Sequence, residues 1–257
     1  MQKNVVTAAL NAVGIDQIDI VYRSASSAHG INLNVGSGAT RYPGFVNLDL
    51  TTTYYHPGRG SVFRKKRDYV EYDMRLDALP FDSQTVDLIY ASHVIEHIET
   101  THVERFIAEA ARVLKPGGLL RVATPDALFL HEVSRVSSSY WDWRLSDMKS
   151  MGFNNPTAVD FLQREIGTAN LFSPHRVRTL SDNPRRDLDA MIEGLVFDAT
   201  HPGYHINWWS IDKLRPLAKE FSAIVESKRG ASLSRVLQAS RFDRKAPVMS
   251  LYCDFLR

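Results

Sequence analysis

Thiols are almost missing from this chain: Cys253 is its only cysteine. An intramolecular disulfide is excluded, and so is a thiolate metal cluster. The expected location is a reducing compartment, the cytoplasm. Long apolar runs are missing as well. None approaches the ~20 residues of a membrane-spanning helix, so no membrane span is expected. The opening stretch MQKNVVTAALNAVGIDQIDIVYR does not run from basic to apolar, so no signal peptide is expected. The chain also lacks a charge excess. Lys and Arg number 31 against 29 Asp and Glu, whereas a polyanion binder is usually more basic. No nucleic-acid partner is expected. Repeats and low-complexity segments are absent too. What is present is globular material: 257 residues, 44% of them hydrophobic. That is enough for one large α/β domain, or a domain with a cap.

Short apolar runs mark the strands. They are INLNV (31–35), FVNLDL (45–50), DYVEYD (68–73), VDLIYAS (86–92) and LLRVAT (119–124). Near-continuous apolar runs of this length suit strands buried on both faces. The opening stretch reads as a short helix and a turn, with a strand at IDIVYR. Between the fourth and fifth runs, Val103, Phe106, Ile107, Ala110, Val113 and Leu114 recur at helical spacing. Thr101 and Glu104 have capping-box spacing at its start, and KPGG stops it. A strand–helix–strand unit of this kind makes the two strands parallel.

After Asp126 aromatic and polar residues increase, with breakers at Gly152, Pro156, Pro174, Pro184 and Pro202. This predicts a helical cap over about 127–209, inserted into a core of about 28–126 and 210–257. SIDKLRPLAKEF (210–221) reads as an amphipathic helix with Ser210 as N-cap. AIVES and VMSLYCDFL predict two closing strands, antiparallel at the sheet edge. Met249, Leu251, Cys253 and Phe255 then share one face.

In a parallel α/β sheet, ligands sit beyond the carboxyl ends of strands, where strand order reverses. Val35-Gly36-Ser37-Gly38 follows the first strand, and glycine there lets backbone approach a ligand. Asp49, with Leu50 behind it, closes the second; a carboxylate can accept both hydroxyls of a ribose. Asp73-Met74-Arg75 follows the third, where a polar edge and an apolar face suit adenine. Ala91-Ser92-His93 ends the fourth. Singly these are turns and caps. In this order they outline a cofactor loop.

LNVGSG, GFVNLD, DMRLDALPFDSQTVDLIYASHVIEHI and FIAEAARVLKPGGLLRVATPD, in unbroken order over about 31–126, resemble a class I S-adenosylmethionine-dependent methyltransferase. LPFDSQTVDLIYASHVIEHI followed by LKPGG is the most specific part. HINWWSIDKLRPLAKEF and SLYCDF fit the tail of the same family. GFVNLD so soon after the glycine loop resembles members met among polysaccharide, glycoconjugate and natural-product biosynthesis enzymes. The resemblance implies a Rossmann-like α/β fold: a seven-stranded, mostly parallel sheet with an antiparallel last hairpin. It implies S-adenosylmethionine as cofactor. Val35, Gly36, Ser37 and Gly38 would then flank its methionine and ribose, Asp49 and Leu50 the ribose hydroxyls. Asp73, Met74 and Arg75 would hold adenine, and Ala91 and Ser92 would line the methionine end.

One departure stands out. Only nine residues separate Val35 from Phe45, while a helical crossover needs a dozen or more. The first helix is therefore expected to shrink to a turn, which Pro43-Gly44 favours. A sulfonium donor carries no phosphate and needs no strong helix dipole. NAD would need one, and Arg41 stands where GxGxxG has its third glycine.

Methyl transfer asks the protein to orient an acceptor and remove a proton. His93, leaving the fourth strand, is the first candidate base, with a structural strand-closing role as the alternative. Glu96 and His97 continue the same turn and are expected to shape the acceptor pocket. In HPGYHINWWS (201–210), His205 is the second catalytic candidate. Tyr204 and Trp208 are substrate candidates, although the tryptophans equally suit packing. WDWR (141–144) and SPHRVR (173–178) are further cap candidates, expected mainly to pack or face solvent. His93/His97 and His201/His205 each have i, i+4 spacing. With no thiolate or repeated carboxylate beside them, no metal is expected. Five basic residues between Arg59 and Arg67 are either a solvated face or a steering patch for a phosphorylated substrate.

The expected activity is methylation of oxygen or nitrogen on a small polar acceptor, sugar-like or natural-product-like. A macromolecular acceptor is the enzymatic alternative, although the NPPY-type motif of DNA amino methylation is absent. A non-catalytic cofactor-binding module is the third reading. It would be expected to lose the glycine loop or the strand-end acid, and both are intact.

Overall fold

The computed structural model describes residues 30–50, 69–174, 176–229, 231–234, 237, 242–244 and 246–257. The expected opening helix and IDIVYR strand, and the basic 59–67 segment, lie outside the described residues.

Seven strands form one sheet in the order β3-β2-β1-β4-β5-β7-β6. They are β1 (Ile31–Val35), β2 (Phe45–Asp49), β3 (Tyr69–Glu71), β4 (Val86–Ser92), β5 (Leu114–Pro125), β6 (Ala223–Ser227) and β7 (Ser250–Leu256). The first five run parallel. β7 lies between β5 and β6, antiparallel to both. Its Leu251, Cys253 and Phe255 are buried as the alternation predicts, but so are Tyr252 and Asp254. A strand with neighbours on both sides and covered faces hides both of its side-chain rows.

Helix α1 (Thr100–Val113) carries β4 back to β5 and buries Val103, Phe106, Ile107, Ala110 and Val113 against the main sheet core. Its ends differ from the sequence expectation. The N-cap is Glu99, with no side-chain cap. The nearby side chains are spent elsewhere: Glu99 Oε1 accepts from Phe197 N at 2.9 Å, and Thr100 Oγ1 from Asn207 Nδ2 at 3.1 Å. The helix stops at Leu114, whose backbone is already extended. KPGG belongs to β5, where Gly117 N donates to Arg257 O at 2.7 Å. Pro116 has no N–H to continue a helix, so the stop precedes the glycines.

Helices α2 (Ala127–Val136), α3 (Leu145–Ser150), α4 (Ala158–Ile166) and α5 (Pro184–Ile192) follow β5. They share an apolar cluster of their own, including Leu130, Trp141, Met148, Phe161, Leu162 and Leu188. Helix α6 is only Ile211–Leu214, continued by one 3-10 turn over Arg215–Leu217. Ser210 caps it as expected, accepting from Lys213 N. The helix is shorter than its amphipathic pattern because Pro216 withholds a backbone donor and crowds the preceding turn.

Between β1 and β2 the chain makes turns and no helix. Side chains take over the tethering. Asn34 on β1 and Asn47 on β2 are paired in register and buried. Asn34 Nδ2 donates to Asn47 Oδ1 at 2.8 Å and to Thr40 O at 3.0 Å. Rings cover this part of the sheet: Tyr42, Phe45, Tyr90 and Phe242 cluster, with Tyr42 and Phe242 centroids 4.2 Å apart.

Candidate functional site

β1 and β4 are sheet neighbours, and their connections leave in opposite directions across the sheet. A crevice opens at that point. It holds a cavity of about 290 Å³ lined by Val35, Gly36, Gly38, Asp49, Leu50, Asp73, Met74, Arg75, His93 and His97 among others. The size is at the lower end of ligand pockets. Eight of the eleven sequence-predicted cofactor residues therefore meet in one cavity. Ser37, Ala91 and Ser92 do not line it. Ala91 is buried in the sheet core. Ser37 and Ser92 line a separate recess with Arg41, Tyr42 and Arg244. Consecutive residues at the end of a strand point to opposite faces, so the cavity receives only part of each run.

Gly36 sits at φ +65°, and a Cβ there would lie 2.2 Å from Val94 Cγ2. Its N–H donates to Leu48 O at 2.8 Å, which ties the loop to β2. The Asp49 carboxylate accepts from Gly38 N and, at 2.8 Å, from Leu50 N. The group that braces the loop also lines the cavity. Asp73 accepts from the Arg75 backbone at 2.9 Å and from its guanidinium at 2.6 Å. That guanidinium lies 3.7 Å from the Phe197 ring centroid.

Phe197 and Pro202 close the cavity from the far side of the chain, and Tyr72, Val94 and Ile98 complete its wall. Sequence reasoning missed these five. Tyr72, Val94 and Ile98 flank motifs and were within reach. Phe197 and Pro202 sit in a loop with no local signal.

His93 follows β4 at φ +55°, a left-handed conformation uncommon for any non-glycine residue. Both ring nitrogens are engaged: Nε2 is 2.9 Å from Ser250 Oγ, and Nδ1 is 3.0 Å from Glu96 Oε1. Glu96 is buried in the 3-10 turn Ile95–His97, and its Oε2 accepts from Thr124 Oγ1 at 3.1 Å. Burial alone would raise its carboxyl. The His93 contact and the nearby His97 and His205 outweigh that and hold it well below the usual carboxylate range. His97 Nδ1 donates to Tyr204 O at 3.0 Å. Burial, joined by the charge of His205, pushes its ring down to about 4, so it is neutral near pH 7.

The segment 205–209 clamps this turn. Ile206 N and Asn207 N donate to Glu96 O at 2.9 and 3.1 Å, and Trp209 Nε1 to Ile95 O at 3.0 Å. His205 and Tyr204 line a second cavity, of about 570 Å³, with His93, Trp143, Arg144, Arg164 and Thr168. His93 is the residue common to the linings of both cavities. Trp208 lines neither. Its ring is buried in the cluster of the α2–α5 helices, and Nε1 donates to Asp189 Oδ1 at 2.8 Å. It packs, as Trp141 does, while Trp143 and Arg144 of the WDWR stretch reach the second cavity.

The cofactor implied by the sequence fits the first cavity chemically. It offers a carboxylate for adjacent hydroxyls, apolar and polar side chains for a purine, and glycine backbone.

Residues 33–122 match the family model of the methyltransferase domain. No curated protein matches the chain significantly. Solved structures resemble it at low identity. The PH0226 protein of Pyrococcus horikoshii is 16% identical, with 98% of this chain and 93% of that one covered and a TM-score of 0.46. An S-adenosylmethionine-dependent methyltransferase of Mesorhizobium loti is 17% identical, with 91% and 95% covered and a TM-score of 0.44. A possible histamine N-methyltransferase of Thermotoga maritima is 12% identical, with 98% and 95% covered and a TM-score of 0.43.

Proposed function

We propose that the chain, whose residues 33–122 match the methyltransferase-domain family model, is a class I S-adenosylmethionine-dependent methyltransferase that methylates oxygen or nitrogen of a small polar acceptor, sugar-like or natural-product-like, seated in the second cavity. The observation that carries this reading is the position of His93, whose side chain borders both cavities. The second cavity mixes Trp143 and Tyr204 with Arg144, Arg164 and Thr168, a lining suited to a polar ring with hydroxyls. When bound, S-adenosylmethionine supplies an activated methyl group on a sulfonium.

The chain's own work is orientation and proton removal. Glu96 holds His93 by Nδ1, which directs Nε2 outward. Nε2 is paired with the Ser250 hydroxyl. With the Ser250 hydroxyl displaced by an acceptor hydroxyl, Nε2 would be the atom to take the acceptor's proton, while the sulfonium would supply the methyl group by breaking its S–C bond and leaving as S-adenosylhomocysteine. Asp49 and the Gly36–Gly38 backbone are assigned to the cofactor's ribose and amino-acid ends, and Asp73, Met74 and Arg75 to its base. Tyr204 and His97 shape the acceptor side.

A methyl-transfer screen over nucleotide sugars, glycans and small phenols, read as S-adenosylhomocysteine release, tests the reading. Turnover with one of these classes is expected, and silence across all of them would remove the acceptor assignment. On an acceptor that turns over, His93→Ala is expected to slow the rate about 100-fold while calorimetry still detects S-adenosylmethionine binding. An unchanged rate would return His93 to a structural role.

A further inference from the structure

The histidine pairs picked out by sequence spacing are not the ones that meet. One member of each, His97 and His205, comes together with Glu96. Their rings are edge to face with centroids 4.7 Å apart. One nitrogen from each ring and one Glu96 oxygen all lie within 4.8 Å of one another. We propose that Glu96, His97 and His205 bind a divalent metal cation of the zinc type at the boundary between the two cavities.

Tautomers carry the argument. His97 Nδ1 is 3.0 Å from Tyr204 O, and His205 Nδ1 is 2.5 Å from Glu165 O. A carbonyl only accepts, so both Nδ1 atoms carry the hydrogen. With Nδ1 donating, the nitrogen left to each ring as a ligand atom is Nε2. Metal-ligating histidines are held in this way, with the second ring nitrogen donating to a carbonyl or carboxylate. The third member is a buried carboxylate, with the Thr124 hydroxyl on Oε2 and His93 Nδ1 3.0 Å from Oε1; each oxygen keeps a second lone pair.

Two imidazoles and one carboxylate form a familiar zinc donor set that leaves a fourth position open. At zinc bond lengths, ligand atoms stand about 3.3 Å apart, so modest side-chain rotations close the site. His97 lines the first cavity and His205 the second, so the open position faces the place where an acceptor oxygen would approach. A cation there would polarise that oxygen and ease loss of its proton to His93. The binding site stands without the methyl-acceptor reading; only this role rests on it.

The full chain, stripped with a chelator and dialysed, is titrated with Zn²⁺ by calorimetry and with Co²⁺ by visible absorption. One equivalent should bind, with a cobalt spectrum of low-symmetry N/O coordination. His205→Ala should weaken binding at least 10-fold, while His201→Ala, in the exposed pair with Asp198, should not. Absence of binding by the parent would overturn the site. So would loss with His201→Ala and retention with His205→Ala. S-adenosylmethionine calorimetry on the same samples reports folding of the variants, since His205 does not line the first cavity. Failure of the parent to bind S-adenosylmethionine would count against the cofactor site and leave the metal titration to be read alone.

Discussion

A side chain at position 36 would have to share space with Val94. Val94 follows His93 directly, so any shift that relieves the clash moves the ring that borders both cavities. Gly36→Ala is therefore expected to abolish measurable S-adenosylmethionine binding by calorimetry; affinity within twofold of the parent would show that the loop adapts. Asp49→Ala removes two backbone-to-carboxylate hydrogen bonds as well as the proposed ribose contact. Hydrogen bonds to charged groups are worth roughly 1.5–3 kcal/mol each, so affinity should fall by a factor of about 10 or more. Such residues can be read from sequence because their partners follow at short range in the motif. Phe197 cannot be, since its partners at the cavity, the Arg75 guanidinium and the Glu99 carboxylate, lie about a hundred residues or more away along the chain. Trp208 is the reverse case. An aromatic residue beside a site motif suggests a ligand platform, but its neighbour Trp209 holds the turn at Ile95, and Trp208 points the other way into the helical cluster.

Among the elements, the 3-10 turn Ile95–His97 depends most on distant chain. Its stability comes from the segment 205–209, and that segment is fastened in turn by Lys213. The Lys213 ammonium donates to Asn207 Oδ1 and Trp208 O, both at 2.9 Å, and lies 4.3 Å from the Trp208 ring centroid. Burial pushes it down to about 8, against the pull of Asp189. Its unfolded value is near 10.4. Between pH 8 and 10 the unfolded chain therefore holds this proton more than the folded one, and the lysine's contribution to stability rises with pH. Urea unfolding at pH 8 and pH 10 should show the parent gaining on Lys213→Met by on the order of 1 kcal/mol per pH unit; parallel lines for the two proteins would contradict the burial effect. The same dependence explains the missed cap on α1. Local spacing selects Thr101 and Glu104, but Glu99 and Thr100 serve the 197–207 loop, and nothing in the local sequence reveals that loop. The five parallel strands, by contrast, were legible because each carries its own apolar run, and the closing antiparallel pair because it alternates.

Taken as a whole, the molecule has an ion cluster through its sheet. Arg121 on β5 is fully buried, with its guanidinium 2.6 Å from Asp243 Oδ2 and 2.8 Å from Asp254 Oδ1. Asp254 lies beside it on β7, while Asp243 belongs to the segment whose Phe242 covers the rings over β1 and β4. The run LLRVAT reads as a strand buried on both faces, but nothing local names the two carboxylates that its Arg121 meets there. Arg121→Ala would leave two carboxylates in the interior without their cation, and the expected loss is about 3–5 kcal/mol, read as a lower urea midpoint. A loss below 1 kcal/mol would mean that the two acids protonate or find water. Asp254→Asn should cost less, because Asp243 still answers the guanidinium.

The short connection between β1 and β2 also sets a folding order. Asn32 pairs with Phe45, thirteen residues on, whereas Leu119 on β5 pairs with Leu256 at the far end of the chain. Closing the second contact first costs about 2 kcal/mol more in chain entropy, so the parallel β1–β2 pair, unusually local for its kind, can form early. Pulse-labelled hydrogen exchange during refolding should find the Gly36 amide, which donates to Leu48 O, protected before the β5–β7 ladder. The reverse order would refute it. If it holds, the loop assigned to the cofactor is shaped before the far end of the chain arrives, and ligand added during refolding has a partial site to meet.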